Sequence, residues 1–198
     1  MKERIDGKLN ILYEDNKDKG IDEIIEVHEN FLKEFESKYI NNQEDLNYLY
    51  KYTFNNIARF NDMILLEDAA NYFMKKLSKI DSNKYFMPKM DLCLISAISF
   101  NERKNSIDAI KWFKKGVSIA EDNLKESKKY YHDSYCCALG WLANIYYRKR
   151  DYKKTIDYSE KVLKLYESVK DLKGFYHNEY DPKVIEDFIK ISKEKLKY

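Results

Sequence analysis

Four residues, Leu139, Leu142, Ala143 and Tyr146, recur 46 residues earlier as Cys93, Ser96, Ala97 and Phe100, and this recurrence constrains the fold more than any other feature of the chain. In both sets the offsets of 0, 3, 4 and 7 put the four side chains on one face of an α-helix. The same shift carries Asp151, Thr155, Ile156 and Leu163 onto Asn105, Ala109, Ile110 and Val117. Asn and Asp cap helix N-termini, and a small residue at a shared slot lets a second helix approach closely. A helix, a turn, a capping residue and a second helix therefore occur twice at one spacing, which predicts helical hairpins.

A looser copy lies upstream. Leu46, Leu49, Tyr50, Thr53, Phe54, Ile57 and Ala58 fall on one helix, and Leu66, Ala69, Ala70, Phe73 and Leu77 on the next. Before it, Ile21, Ile24, Ile25, Phe31, Leu32, Phe35 and Tyr39 mark another amphipathic helix. A polar turn, "EDNKDKG", separates it from a short helix with Ile5, Leu9 and Leu12. Downstream, "DLKGFYHNEYDP" reads as a long loop, with Gly174 suited to end a helix and Asp181-Pro182 suited to start one. Val184, Ile185, Phe188, Ile189 and Leu196 then mark a terminal helix with a lysine-rich outer face.

Composition agrees with long solvated helices. Only 5 Gly and 2 Pro interrupt the 198 residues, 44% are apolar and 35% charged, a balance unlike that of a disordered chain or a turn-rich sandwich. One domain of residues 1–198 is expected, with N-terminal helices in 1–42, three hairpins in 43–170 and a capping helix in 181–198. The 36 basic and 34 acidic residues nearly cancel, which gives no global footprint for nucleic acid or a membrane surface. The charged start "MKERIDGKLN" and the lack of a run of ~20 apolar residues predict a cytoplasmic protein. Cys93 stands apart from adjacent Cys136 and Cys137, which suits neither a disulfide framework nor a zinc site.

Leu142, Ala143 and Tyr146 occupy the L-G-x2-Y slots of the tetratricopeptide repeat, and Thr155 and Ser159 its later Ala and Phe slots; Leu139 replaces the Trp and the closing Pro is missing. The chain thus resembles the tetratricopeptide repeat family, in its long-helix bacterial form. That resemblance implies an all-α solenoid of about nine antiparallel helices, whose stacked hairpins offer a concave face lined by the first helix of each hairpin.

No phosphate-binding glycine loop, dinucleotide fingerprint, metalloprotease HExxH or nucleophile GxSxG is present, so no catalytic residue, cofactor or metal is assigned and an enzyme is not expected. His28 lies on the apolar stripe between Ile24, Ile25 and Phe31 and reads as a core histidine, while His132 and His177 lack ligand spacing around them. The runs "YYRKRDYKK" and "KESKKYYH" mix basic and aromatic residues as a single-strand nucleic-acid surface would. Interspersed acids, and the packing role of Tyr146 and Tyr152, make a solvated helix face the better reading.

The resemblance implies non-catalytic recognition of a protein or peptide by residues that the repeats do not spend on packing. Those positions are Gly140, Trp141, Asn144, Tyr147 and Arg148 in the last hairpin, Ile95, Ile98, Asn101 and Glu102 in the preceding one, and Asn56, Arg59 and Asp62 in the first. Trp141 and Tyr147 would supply rigid apolar area, and Asn144 and Arg148 hydrogen bonds to a peptide backbone or carboxylate. Packing of Trp141 between repeats is the structural alternative. A second functional reading is a cytoplasmic sensor of short signalling peptides, like the long-repeat bacterial receptors, acting through a partner protein.

Overall fold

A computed structural model describes residues 2–39, 42–60, 63–78, 86–122, 130–169 and 181–197. Among the described residues all regular structure is helical: α1 (Lys2–Asn16), α2 (Ile21–Tyr39), α3 (Gln43–Ala58), α4 (Met63–Leu77), α5 (Phe86–Glu102), α6 (Ser106–Asp122), α7 (Tyr130–Arg148), α8 (Tyr152–Val169) and α9 (Pro182–Lys195). The all-α expectation is met. None of these helices is long and apolar enough to cross a membrane. Asp62, and the long loop expected before Asp181, lie outside the described residues.

The chain divides into two compact units, Met1–Ser99 and Phe100–Tyr198. In the first, α1 and α2 both pack on α3, which packs on α4. Ile5, Phe35, Leu49, Phe54, Leu66 and Phe73 are among its fully buried side chains, and the Phe54 and Phe73 rings meet edge to face at 6.0 Å. Polar bonds tie each helix to the next but one. Tyr48 donates to Asp6 at 2.9 Å and Asn56 to the Leu9 carbonyl at 2.7 Å, joining α3 to α1. Lys76 of α4 meets Glu36 of α2 at 2.9 Å, and Lys51 of α3 pairs with Asp91 of α5.

In the second unit α7 packs on α6, α8 and α9, and α8 on α9. Trp112, Phe113, Leu139, Leu142, Ala143 and Ile185 form its centre. Here too alternate helices are bonded, with Arg148 donating to Asn101 at 2.8 Å and Lys161 to Glu121 at 3.4 Å. Asp181 caps α9 by accepting from the Lys183 amide at 2.9 Å, as the Asp-Pro pair suggests. Val184 and Leu196, assigned from the sequence to the stripe of that helix, are instead 49% and 46% exposed. Ile185 and Ser192 fill the buried face.

The 46-residue recurrence is visible in backbone detail. Lys104 and Arg150 have φ of 61° and 60°. The amides that follow them, of Asn105 and Asp151, reach back to the carbonyls of Phe100 and Tyr146 at 2.9 and 3.0 Å. This is the left-handed stop that satisfies the last carbonyls of a helix. Asn105 and Asp151 then cap the next helix, their Oδ1 atoms accepting from the amides of Asp108 and Lys154, each at 3.2 Å. Burial recurs as well: Cys93 and Leu139, Ala97 and Ala143, and Ala109 and Thr155 are all fully buried.

One boundary differs from the sequence reading. Helix α1 runs on through "EDN" to Asn16, whose side-chain amide donates to the Leu12 carbonyl at 2.6 Å. Helix α7 stops at Arg148, because Arg150 is already in the left-handed turn.

Candidate ligand groove

Between α1 and α3 runs a groove of about 290 Å³ lined by Asp6, Leu9, Asn10, Tyr52, Asn55, Asn56 and Arg59. Its position follows from the pattern of α3. Tyr48, Tyr52, Asn55 and Arg59, spaced four, three and four apart, share one face, while Leu49, Phe54 and Ile57 face the core. The Tyr48 and Tyr52 rings stack at 4.1 Å, and burial, followed by the bond to Asp6, raises the Tyr48 pKa so that its hydroxyl stays a donor.

Arg59 is held at the end of the groove. Its guanidinium carbon lies 3.7 Å from the centre of the Tyr13 ring, Nη1 donates to Asn10 Oδ1 at 3.0 Å, and Glu14 is 3.8 Å away. Such a fixed, planar cation is suited to a carboxylate or a peptide carbonyl. Asn55 differs from its neighbours, because its Oδ1 is buried and accepts no hydrogen bond among the described residues. Asn56 is 4% exposed and fully engaged: Nδ2 donates to Leu9, and Oδ1 lies 3.0 Å from His28 Nε2. It forms the wall of the groove, and its amide is committed to α1 and α2.

The sequence-derived candidates fall in both units. Asn56, Arg59 and Ile98 belong to the first, and only Asn56 and Arg59 line this groove. Ile98 is half-buried on α5. In the second unit Arg148 and Asn101 are bonded to each other. Trp141 lies flat on Phe113, with ring centres 6.0 Å apart and planes at 12°, and its Nε1 is buried without a partner among the described residues. Tyr147 stacks on Phe188 of α9 at 4.9 Å. Asn144 is half-buried one turn before Arg148. One face of each ring is thus covered by a helix of the same unit.

Asp6, Asn10, Tyr52 and Asn55 were not singled out from sequence. The spacing of Tyr48, Tyr52, Asn55 and Arg59 on one face was the available signal for the α3 members. Nothing in the α1 pattern marks Asp6 or Asn10, whose role depends on which face α3 turns to α1. Among the described residues no group of three or more His, Cys, Asp or Glu side chains is placed to hold a metal ion. No protein-family model, curated protein or solved structure matches the chain.

Proposed function

We propose that the chain is a non-catalytic, cytoplasmic binding scaffold whose hairpins stack in tetratricopeptide fashion and whose α1/α3 groove holds an extended segment of a protein or peptide. The bonds between alternate helices support the stacking, because a solenoid sets the first helix of each hairpin beside the first helix of the next. The recurrence of one turn and one burial pattern at 46 residues supports the repeat.

The observation that carries the binding reading is the Asn55 carbonyl oxygen. A buried acceptor without a donor costs roughly 1–3 kcal/mol, and a peptide N–H entering the groove would relieve that cost. The Arg59 guanidinium, one turn along, could take a carbonyl or carboxylate of the same segment. Asn10 and Tyr52 add further hydrogen-bonding groups at the walls.

A random peptide library selected on the full chain tests this reading, with benzoylphenylalanine installed in place of Tyr52 and, as a control, in place of Lys164. Selected peptides should cross-link from position 52 and not from position 164. Cross-linking from both positions equally, or from neither, would contradict binding in the groove.

A further inference from the structure

A second hollow, of about 240 Å³, opens between α2 and α4, with Ile57 of α3 in its wall. Ile25 and Leu32 of α2 and Leu65 and Phe73 of α4 make the interior apolar, while Glu29 and Asp68 stand exposed at its rim. Such a volume lies below the roughly 300–1,000 Å³ of pockets that enclose a drug-sized molecule and is near what one large side chain needs. The wall is pre-shaped, because His28 is fixed at both ring nitrogens, to the Ile24 carbonyl at 2.7 Å and to Asn56 at 3.0 Å.

The two carboxylates that line the hollow, Glu29 and Asp68, give it an acidic rim. The first part of α2 presents Asp22, Glu23, Glu26 and Glu29 with no Lys or Arg before Lys33. Elsewhere in this unit Glu34, Glu36 and Asp91 are paired with lysines, but Glu29 and Asp68 form no ion pair among the described residues. On α4, Ile64 is 68% exposed one turn before Asp68, and Tyr72 is 38% exposed one turn after it. The face therefore combines an apolar socket, an exposed apolar margin and two unneutralised carboxylates.

We infer that this hollow docks a basic peptide segment, seating one bulky apolar side chain between α2 and α4 and setting lysine or arginine against Glu29 and Asp68. The apolar group supplies the burial, and the charge pair selects the partner and speeds its encounter. The site uses other helices than the α1/α3 groove, and it stands whether or not that groove binds.

The probe is a random peptide library selected at low salt on the full chain and counter-selected on the Glu29→Lys/Asp68→Lys variant, whose helicity is checked by circular dichroism. Peptides retained by the wild type alone should share a bulky apolar residue with Lys or Arg within about four positions, the spacing of one helical turn. Synthesised, such a peptide should lose at least tenfold in affinity on the charge-reversed variant, on the milder Glu29→Gln/Asp68→Asn variant at low salt, and when its own apolar residue becomes Ala. Recovery of acidic peptides, recovery of none, or equal affinity for all three proteins would overturn the proposal. So would self-association of the wild type that charge reversal abolishes, since the occupant would then be a second copy of the chain.

Discussion

His28 Nε2 lies 3.0 Å from Asn56 Oδ1, and that contact joins the two hollows of the first unit: His28 lines the apolar one between α2 and α4, Asn56 the polar one between α1 and α3. The chain of contacts runs from the Ile24 carbonyl through His28 and Asn56 to the Leu9 carbonyl. It contains three contacts, all of which need a proton donor. A neutral imidazole supplies one N–H and the Asn56 amide covers Leu9, so one contact is satisfied only by the imidazolium.

Burial, the largest influence, holds the His28 pKa below its ordinary value of 6.5, with the bonds to Ile24 and Asn56 acting the other way. Between the lowered folded value and the unfolded one, the unfolded chain binds more protons, so the contribution of His28 to stability rises with pH. It is complete above about 6.5 and lost as pH falls toward the folded value. Glu29, Asp68 and Tyr72 share the hollow with it, so the comparison must isolate the ring. Melting temperatures measured across that range should fall more steeply on acidification for the wild type than for His28→Gln. Parallel curves would remove the ring as the cause.

Asn56 and Asn55 are adjacent and should behave oppositely. Asn56→Ala strands the Leu9 carbonyl and a ring nitrogen in a buried place, at a cost of roughly 1–3 kcal/mol. Asn55→Ala removes a buried acceptor that bonds to nothing and should raise stability, by up to roughly 1–3 kcal/mol. Urea denaturation of the two variants checks the contrast.

Lys104 and Arg150 hold a left-handed backbone with side chains that carry a Cβ. Glycine adopts this conformation without that strain, worth roughly 1–2 kcal/mol, against about 0.5–1 kcal/mol for its greater freedom when unfolded. Lys104→Gly and Arg150→Gly should therefore each stabilise the chain slightly, by up to about 1 kcal/mol. Calorimetric melting of the two variants should show similar increases, since the two turns are alike.

Trp141→Ala should lower stability toward the lower end of the roughly 3–5 kcal/mol typical of a buried aromatic, because the ring is half-buried against Phe113. Lys153→Ala, an exposed change in the same hairpin, should stay within about 0.5 kcal/mol. Equal melting temperatures would mean that the stack on Phe113 contributes nothing.

What could be read from the sequence tracks the range of the interactions involved. The turns and caps at Asn105 and Asp151 were legible because caps, small slots and apolar stripes are local signals that repeat. The core histidine was legible too, since His28 sits within an apolar stripe, and it is 2% exposed. Asn56 shows where such reading stops. Periodicity puts it at the edge of the α3 stripe, but α3 is contacted by α1, α2 and α4, so a polar edge residue can be enclosed. Trp141 and Tyr147 likewise depend on Phe113 and Phe188, which are distant in sequence and carry no mark of their partners. The Asn55 acceptor and the α2/α4 hollow exist only once three helices are assembled.

The central claim, that the α1/α3 groove holds a peptide, is tested most directly by calorimetric titration of a peptide that cross-links from position 52 into the wild type and into Asn55→Ala. The substitution should leave the fold intact while removing the unpaired buried acceptor of the groove. Affinity is predicted to fall by about tenfold to a hundredfold, the equivalent of roughly 1–3 kcal/mol. An unchanged dissociation constant for a folded Asn55→Ala protein would contradict the account.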